Sequence, residues 1–174
     1  MRIVGIDENG YGPMLGPLVA TGVEVFLEDT SKVPIFIKDS KKLFRGRTHL
    51  NYRRLEEAAL KIIKSCENGK DVLRDFSPPY WLREYPEENI QIKIIGFKSV
   101  VIHPEEFNKY AQFKTKSEIN FLSFLKIIKH FFSEETEFFC GKIGGATYIY
   151  KKWLRKEFDL VEVIEEKKEG SSYM

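Results

Sequence analysis

Gly5-Ile6-Asp7-Glu8-Asn9-Gly10-Tyr11-Gly12-Pro13, followed at once by Met14-Leu15-Gly16-Pro17-Leu18-Val19-Ala20, is the stretch from which the rest of the chain is read. The apolar run ending at Ile6 has the composition of a strand, and it delivers two adjacent carboxylates, Asp7 and Glu8, into a glycine- and proline-rich connection. Carboxylates at the mouth of a turn can serve simply as acceptors for local backbone N–H groups. The surrounding backbone favours a second use. Gly10 and Gly12 can take positive φ and let a ligand approach closely, and Gly12-Pro13 and Gly16-Pro17 fix two sharp changes of direction. A simple hairpin needs only a few loop residues, so the longer connection reads as a binding surface with two hard oxygen ligands for a divalent cation.

The rest of the composition suits a folded domain. The chain has 174 residues, of which 43% are hydrophobic and 31% charged, with 14 Phe and 8 Tyr. That balance excludes disorder and predicts a large aromatic core in one domain spanning residues 1–174. Lysine and arginine number 28 against 26 acids, a formal charge of +2, which permits a polyanionic partner without requiring one. Cys66 and Cys140 have no Cys-x-x-Cys spacing, so neither a disulfide framework nor a structural zinc site is expected. His49, His103 and His130 are scattered without ligand spacing. With no signal-like segment before the first strand and no apolar run of about 20 residues, a cytoplasmic, monomeric protein without membrane contact is expected.

Outward from the opening motif, Arg2 to Ile6 and Leu18 to Phe26 read as paired antiparallel strands. Thr48 can cap a helix on which Leu50, Leu55, Ala58, Ala59, Ile62 and Ile63 recur near helical spacing, ending around Ser65. Residues 66–90 carry Asn68-Gly69, Pro78-Pro79 and Pro86 and read as a loop or lid. Gln91 to Ile102 alternates as a long strand, and Pro104-Glu105-Glu106 opens a short helix to Tyr110. From Ser117, Ile119, Phe121, Leu122, Phe124, Leu125, Ile127, Ile128, Phe131 and Phe132 mark the most apolar helix. A strand over Glu137 to Cys140, a helix over Thr147 to Glu157 and a last strand over Leu160 to Ile164 complete the reading.

The opening motif and a second one, Lys38-Asp39-Ser40-Lys41-Lys42-Leu43, together resemble the signatures of the ribonuclease HII family, in the same order along the chain. The resemblance implies a ribonuclease H-like α/β fold: a mixed five-stranded sheet, three antiparallel strands and then parallel ones, flanked by helices. It also implies metal-dependent endonucleolytic cutting of the RNA strand of RNA/DNA hybrids, with Mg²⁺ or Mn²⁺ held by carboxylates at strand ends. Asp7 and Glu8 match the first two family acids, and Glu165 or Glu166 matches the last, with Glu166 as the expected metal ligand and Glu169 farther from the strand end. Gly10, Tyr11 and Gly12 match the loop that senses the ribose, and Lys41, Lys42 and Arg45 are candidates for phosphate contacts.

Three departures from the family pattern bear on function. Gly141 stands three residues before Gly144-Gly145, where the resemblance implies an Asp; Cys140 beside it is a soft ligand ill suited to Mg²⁺ and reads as an ordinary buried residue. Tyr11 replaces the Arg common between the two glycines, so a phosphate-pairing cation is missing. The helices that follow in the family are not in these 174 residues. The alternative reading is a catalytically degenerate relative that binds nucleic acid on the same fold, and a weaker third is a metal-binding or scaffold protein without nuclease chemistry.

Overall fold

A computed structural model describes residues 1–9, 16–26, 48–65, 93–143, 149–158, 162, 165–167 and 170–173. These form β1 (Arg2–Asn9), β2 (Leu18–Phe26), α1 (His49–Ser65), β3 (Lys93–Ile102), α2 (Pro104–Ala111), α3 (Lys116–Phe131), β4 (Thr136–Cys140), α4 (Ile149–Glu157), β5 (Glu165–Lys167) and β6 (Gly170–Tyr173). The chain divides into two compact units, one of residues Met1–Glu24 with Phe97–Met174 and one of Val25–Gly96.

The sheet runs β3-β2-β1-β4-β6-β5. β1 and β4 are parallel, with Val4 opposite Phe138 and Ile6 opposite Cys140. This is the α/β, mixed-sheet architecture expected from the sequence, with β1 inside the sheet and β4 reached through the helical crossover. The strand count differs: six strands, not five, lie among the described residues. The ending differs too, because the last described strands are not parallel additions. β6 pairs antiparallel to β4, and β5 antiparallel to β6, as the short link between Lys167 and Gly170 allows only a hairpin. The strand expected over Leu160 to Ile164 falls almost wholly outside the described residues, as does the loop or lid over 66–90.

Alternation along β1 and β2 decides which face carries the core. Val4 and Ile6 point inward on β1, and Leu18, Ala20, Gly22 and Glu24 on β2. The buried stripe of α3 covers them: Phe121, Phe124, Leu125, Ile127, Ile128 and Phe131 share one core with Val4, Ile6, Ala20, Phe138, Cys140, Ile143, Tyr150 and Leu154. α3 starts where Thr115 and Glu118 form a reciprocal capping box, Thr115 Oγ1 accepting from the Glu118 backbone N–H and Glu118 Oε2 accepting from the Thr115 N–H, which satisfies two orphan donors. α4 is fixed to α3 by aromatic contacts, with Phe121 and Trp153 ring centroids 4.9 Å apart. A second small core joins Leu18, Ile102 and Ile119, with Phe107 and Tyr110 of α2 against it.

In the unit of Val25–Gly96, Thr48 Oγ1 accepts from the Asn51 N–H at the start of α1, as the capping reading expects. The stripe expected on α1 is only partly right. Leu50 and Ala59 are exposed, whereas Leu60 and Asn51 are buried, so the covered face is rotated relative to the one drawn from the apolar letters.

Two details predict stability directly. Gly22 has no room for a side chain, because a Cβ there would lie 2.3 Å from Ile127 Cγ2; Gly22→Ala is expected to lower the urea-unfolding free energy by about 2 kcal/mol through overpacking against α3. Glu24 is buried and receives the Arg2 guanidinium through Nε at 2.8 Å and through Nη2. Arg2→Met, which strands that carboxylate, should cost roughly 2 kcal/mol in the same measurement.

Candidate active site

The end of β1 places two acids on different sides of the sheet. Ile6 faces the core, so Asp7 faces outward and is exposed, while Glu8 turns back towards α3 and is half-buried. Asp7 Oδ1 accepts the Glu8 backbone N–H at 3.0 Å, which is the local acceptor role open to any acid at a turn. What lies next to it is specific. The Gly141 N–H donates to the Ile6 carbonyl at 2.7 Å, continuing the β1–β4 pairing one residue past the strand. A Cβ at Gly141 would stand 2.4 Å from Asp7 Oδ1 and 3.2 Å from its Cγ. Any side chain at position 141 would thus share space with the Asp7 carboxylate.

Cys140 is one residue away and on the wrong face. It is buried opposite Ile6, and burial pushes its thiol well above the ordinary range, so it stays protonated and turned from Asp7. That agrees with its reading as an ordinary core residue. The carbonyl of Gly141 accepts from the buried Tyr150 hydroxyl, so α4 pins the turn that holds Gly141 against Asp7.

Glu8 sits in a strained electrostatic setting. Burial first and the neighbouring Asp7 charge second raise its carboxyl above the ordinary value, while the Asn120 side chain and the backbone N–H pull it down. Its Oε2 is buried without a hydrogen-bond partner, and so is Nδ2 of Asn120. Asn120 was missed in the sequence, although a polar letter inside the apolar run Ile119 to Phe121 was the available signal.

Glu165 and Glu166 lie on β5, the edge strand. The pairing puts Glu166 in the row of Ser171, Cys140 and Ile6, and Glu165 in the row of Ser172, Phe139 and Gly5. At about 4.8 Å per strand, three steps separate the β5 backbone from β1 by about 14 Å. The structure therefore sets position 141 beside Asp7, with Glu8 next in the chain on the opposite face of β1, and places Glu165 and Glu166 on the edge strand. Among the described residues, no three His, Cys, Asp or Glu converge as a metal-binding group. Gly10, Tyr11, Gly12, Lys41, Lys42, Arg45 and Glu169 lie outside the described residues.

Does this set suit a divalent cation? The donors are hard carboxylate oxygens, the ligand type that Mg²⁺ and Mn²⁺ take. The two acids fit such an ion; the place beside Asp7 where a third ligand could stand is occupied by glycine.

A mixed α/β sheet whose inner strand has a parallel neighbour reached through a helix is consistent with a ribonuclease H-like fold. The chain is 26% identical over 133 residues to the protein named Ribonuclease HII of Methanococcus maripaludis, covering 76% of this chain and 41% of that relative. Ribonuclease HII of Methanococcus vannielii matches at 26% identity over 133 residues, 76% of this chain and 40% of the relative. Ribonuclease HII of Rickettsia rickettsii is 43% identical over 53 residues, 30% of this chain and 26% of that protein. The chain is thus similar to proteins named Ribonuclease HII, at low identity over three quarters of its length and at higher identity over a short stretch. It spans about two fifths of the length of the curated archaeal relatives it matches. No family profile matches it, and no solved structure does. No helix among the described residues is long and apolar enough to cross a membrane.

The raised Glu8 carboxyl has a signed consequence for stability. The folded protein holds this proton more tightly than the unfolded chain, so stability falls as pH rises from the ordinary carboxylate pKa through the raised one. Glu8→Gln is expected to be more stable than the parent at neutral pH, with the difference shrinking towards about pH 4. Urea unfolding across that range checks it; parallel curves would contradict the assignment.

Proposed function

We propose that this chain carries the catalytic sheet of a ribonuclease H-type phosphodiester hydrolase acting on the RNA strand of RNA/DNA hybrids, with Asp7 and Glu8 as ligands for Mg²⁺ or Mn²⁺. The observation that carries the reading is the contact between Asp7 and position 141. The family resemblance implies an acid at 141, and the β1–β4 pairing sets that position directly against the Asp7 carboxylate. The similarity to proteins named Ribonuclease HII supports the reaction class. The cation, when bound, supplies Lewis-acid activation of water and charge stabilisation at the phosphate.

The chain's own groups divide the remaining work. Asp7, exposed at the strand end, is the ligand that faces substrate. Glu8 anchors from the α3 side, where burial limits competition from bulk water. Tyr150 holds the Gly141 carbonyl and so fixes the wall beside Asp7. Gly10, Tyr11 and Gly12 would lie along the ribose, and Lys41, Lys42 and Arg45 would meet phosphates. Glu166, in the row of Ile6, is kept as the further acid with Glu165 beside it; reached across β4 and β6, it should matter less than Asp7. A monomer working on nucleic acid in the cytoplasm, away from membranes, completes the reading.

A second reading is favoured by Gly141 itself. With glycine there, one oxygen ligand fewer is available, and the same surface could retain hybrid binding while cutting slowly or not at all.

A labelled RNA/DNA hybrid incubated with Mg²⁺ or Mn²⁺ separates the two. Cleavage by the parent and its loss, by at least about 100-fold, in Asp7→Asn supports the nuclease. Salt-dependent binding without cleavage by either protein supports the binding module, and equal cleavage by both would overturn the assignment of Asp7. Gly141→Asp, in which the Asp7 carboxylate must swing aside, is expected to tighten Mn²⁺ binding by about tenfold, or roughly 1.4 kcal/mol. An unchanged calorimetric titration would contradict the placement of position 141 in the site.

A further inference from the structure

α3 is built as an apolar element, yet it carries Asn120 at 0% exposure between Ile119 and Phe121. A buried primary amide that does nothing is costly, and most are satisfied by the surrounding backbone or side chains. This one is half satisfied. Ser123, also fully buried, donates its hydroxyl to the Asn120 carbonyl at 2.6 Å and approaches Asn120 Oδ1 at 3.4 Å. That engagement turns the amide oxygen towards Ser123 and leaves Nδ2, the donor end, directed away from it. Nδ2 has no hydrogen-bond partner, and the Glu8 carboxylate that it approaches has a buried Oε2 with none either.

A buried lone donor and a buried lone acceptor are complementary, since one hydrogen bond between them would satisfy both. We propose that Asn120 is a positioning residue for Glu8: Ser123 orients its amide, and Nδ2 donates to Glu8 Oε2, holding the carboxylate at the end of β1 with its other oxygen free for a ligand. The inference rests on Glu8 being a cation ligand, as in the reading above. It extends that reading by assigning the orientation of Glu8 to the buried face of a helix, a role usual for groups behind metal-binding carboxylates.

The test is a double-mutant cycle on the full chain, with Mn²⁺ as the probe in calorimetry. Asn120→Leu, which keeps the branched outline of the side chain and removes the donor, is expected to weaken Mn²⁺ binding by about tenfold in the parent and by less than about twofold in a Glu8→Gln background. Equal weakening in both backgrounds would mean that Asn120 acts through packing alone and would overturn the proposal. A second measurement needs no change at position 120. In ¹⁵N-labelled protein, Glu8→Gln should move the Asn120 side-chain amide resonance, and Asp7→Asn should move it less. An Asn120 amide indifferent to Glu8→Gln overturns the proposal even if Mn²⁺ binds. An amide that responds while the parent binds no Mn²⁺ supports the Asn120–Glu8 pairing and rejects only the cation reading.

Discussion

The hydrogen bond from the Gly141 N–H to the Ile6 carbonyl carries β1–β4 pairing past the end of the strand, and the site depends on it. Parallel pairing fixes which residues stand side by side, and strand alternation fixes which way each points. With Ile6 opposite Cys140 on the core face, Asp7 and Gly141 must be neighbours on the other. The Asp7 carboxylate can lean over position 141 because glycine leaves the space free. One backbone contact thereby determines both where an acid stands and what stands next to it.

That contact is held by packing remote from the acids. α3 lies on the core side of β1 and β2, close enough that Gly22 has no space for a methyl group. α4 packs against α3 through Phe121, Trp153 and Tyr150, and the Tyr150 hydroxyl reaches the Gly141 carbonyl. The same helix face that builds the core also carries the fully buried Asn120. Rigid elements position the acids, so the site is a property of the sheet and its two covering helices rather than of a loop.

Much of this was legible in the letters. Leu18–Phe26 reads as a strand from alternation alone, Pro104-Glu105-Glu106 marks the start of α2, and Asp7-Glu8 after an apolar run marks a strand end. The motifs carry the resemblance to ribonuclease HII and single out position 141. The misreadings have physical causes. Alternation over Glu165 to Tyr173 is too short and too charged to signal a hairpin, so the sheet's antiparallel ending was missed. The stripe on α1 was drawn from apolar letters, but tertiary surroundings bury Asn51 and expose Leu50. Asn120 hid inside a helix whose period already accounted for its neighbours. The spacing of β5 from β1 depends on strand order, which no local pattern encodes.

The central claim is that Asp7, Glu8 and position 141 form one cation-binding corner at the ends of β1 and β4. Paramagnetic relaxation by substoichiometric Mn²⁺ tests it most directly, read from backbone amide signals of the ¹⁵N-labelled chain. The account predicts selective broadening at Ile6 to Glu8 together with Cys140 to Lys142, abolished in Asp7→Asn. Broadening centred elsewhere, or at β1 without β4, or undiminished by that substitution, would contradict it.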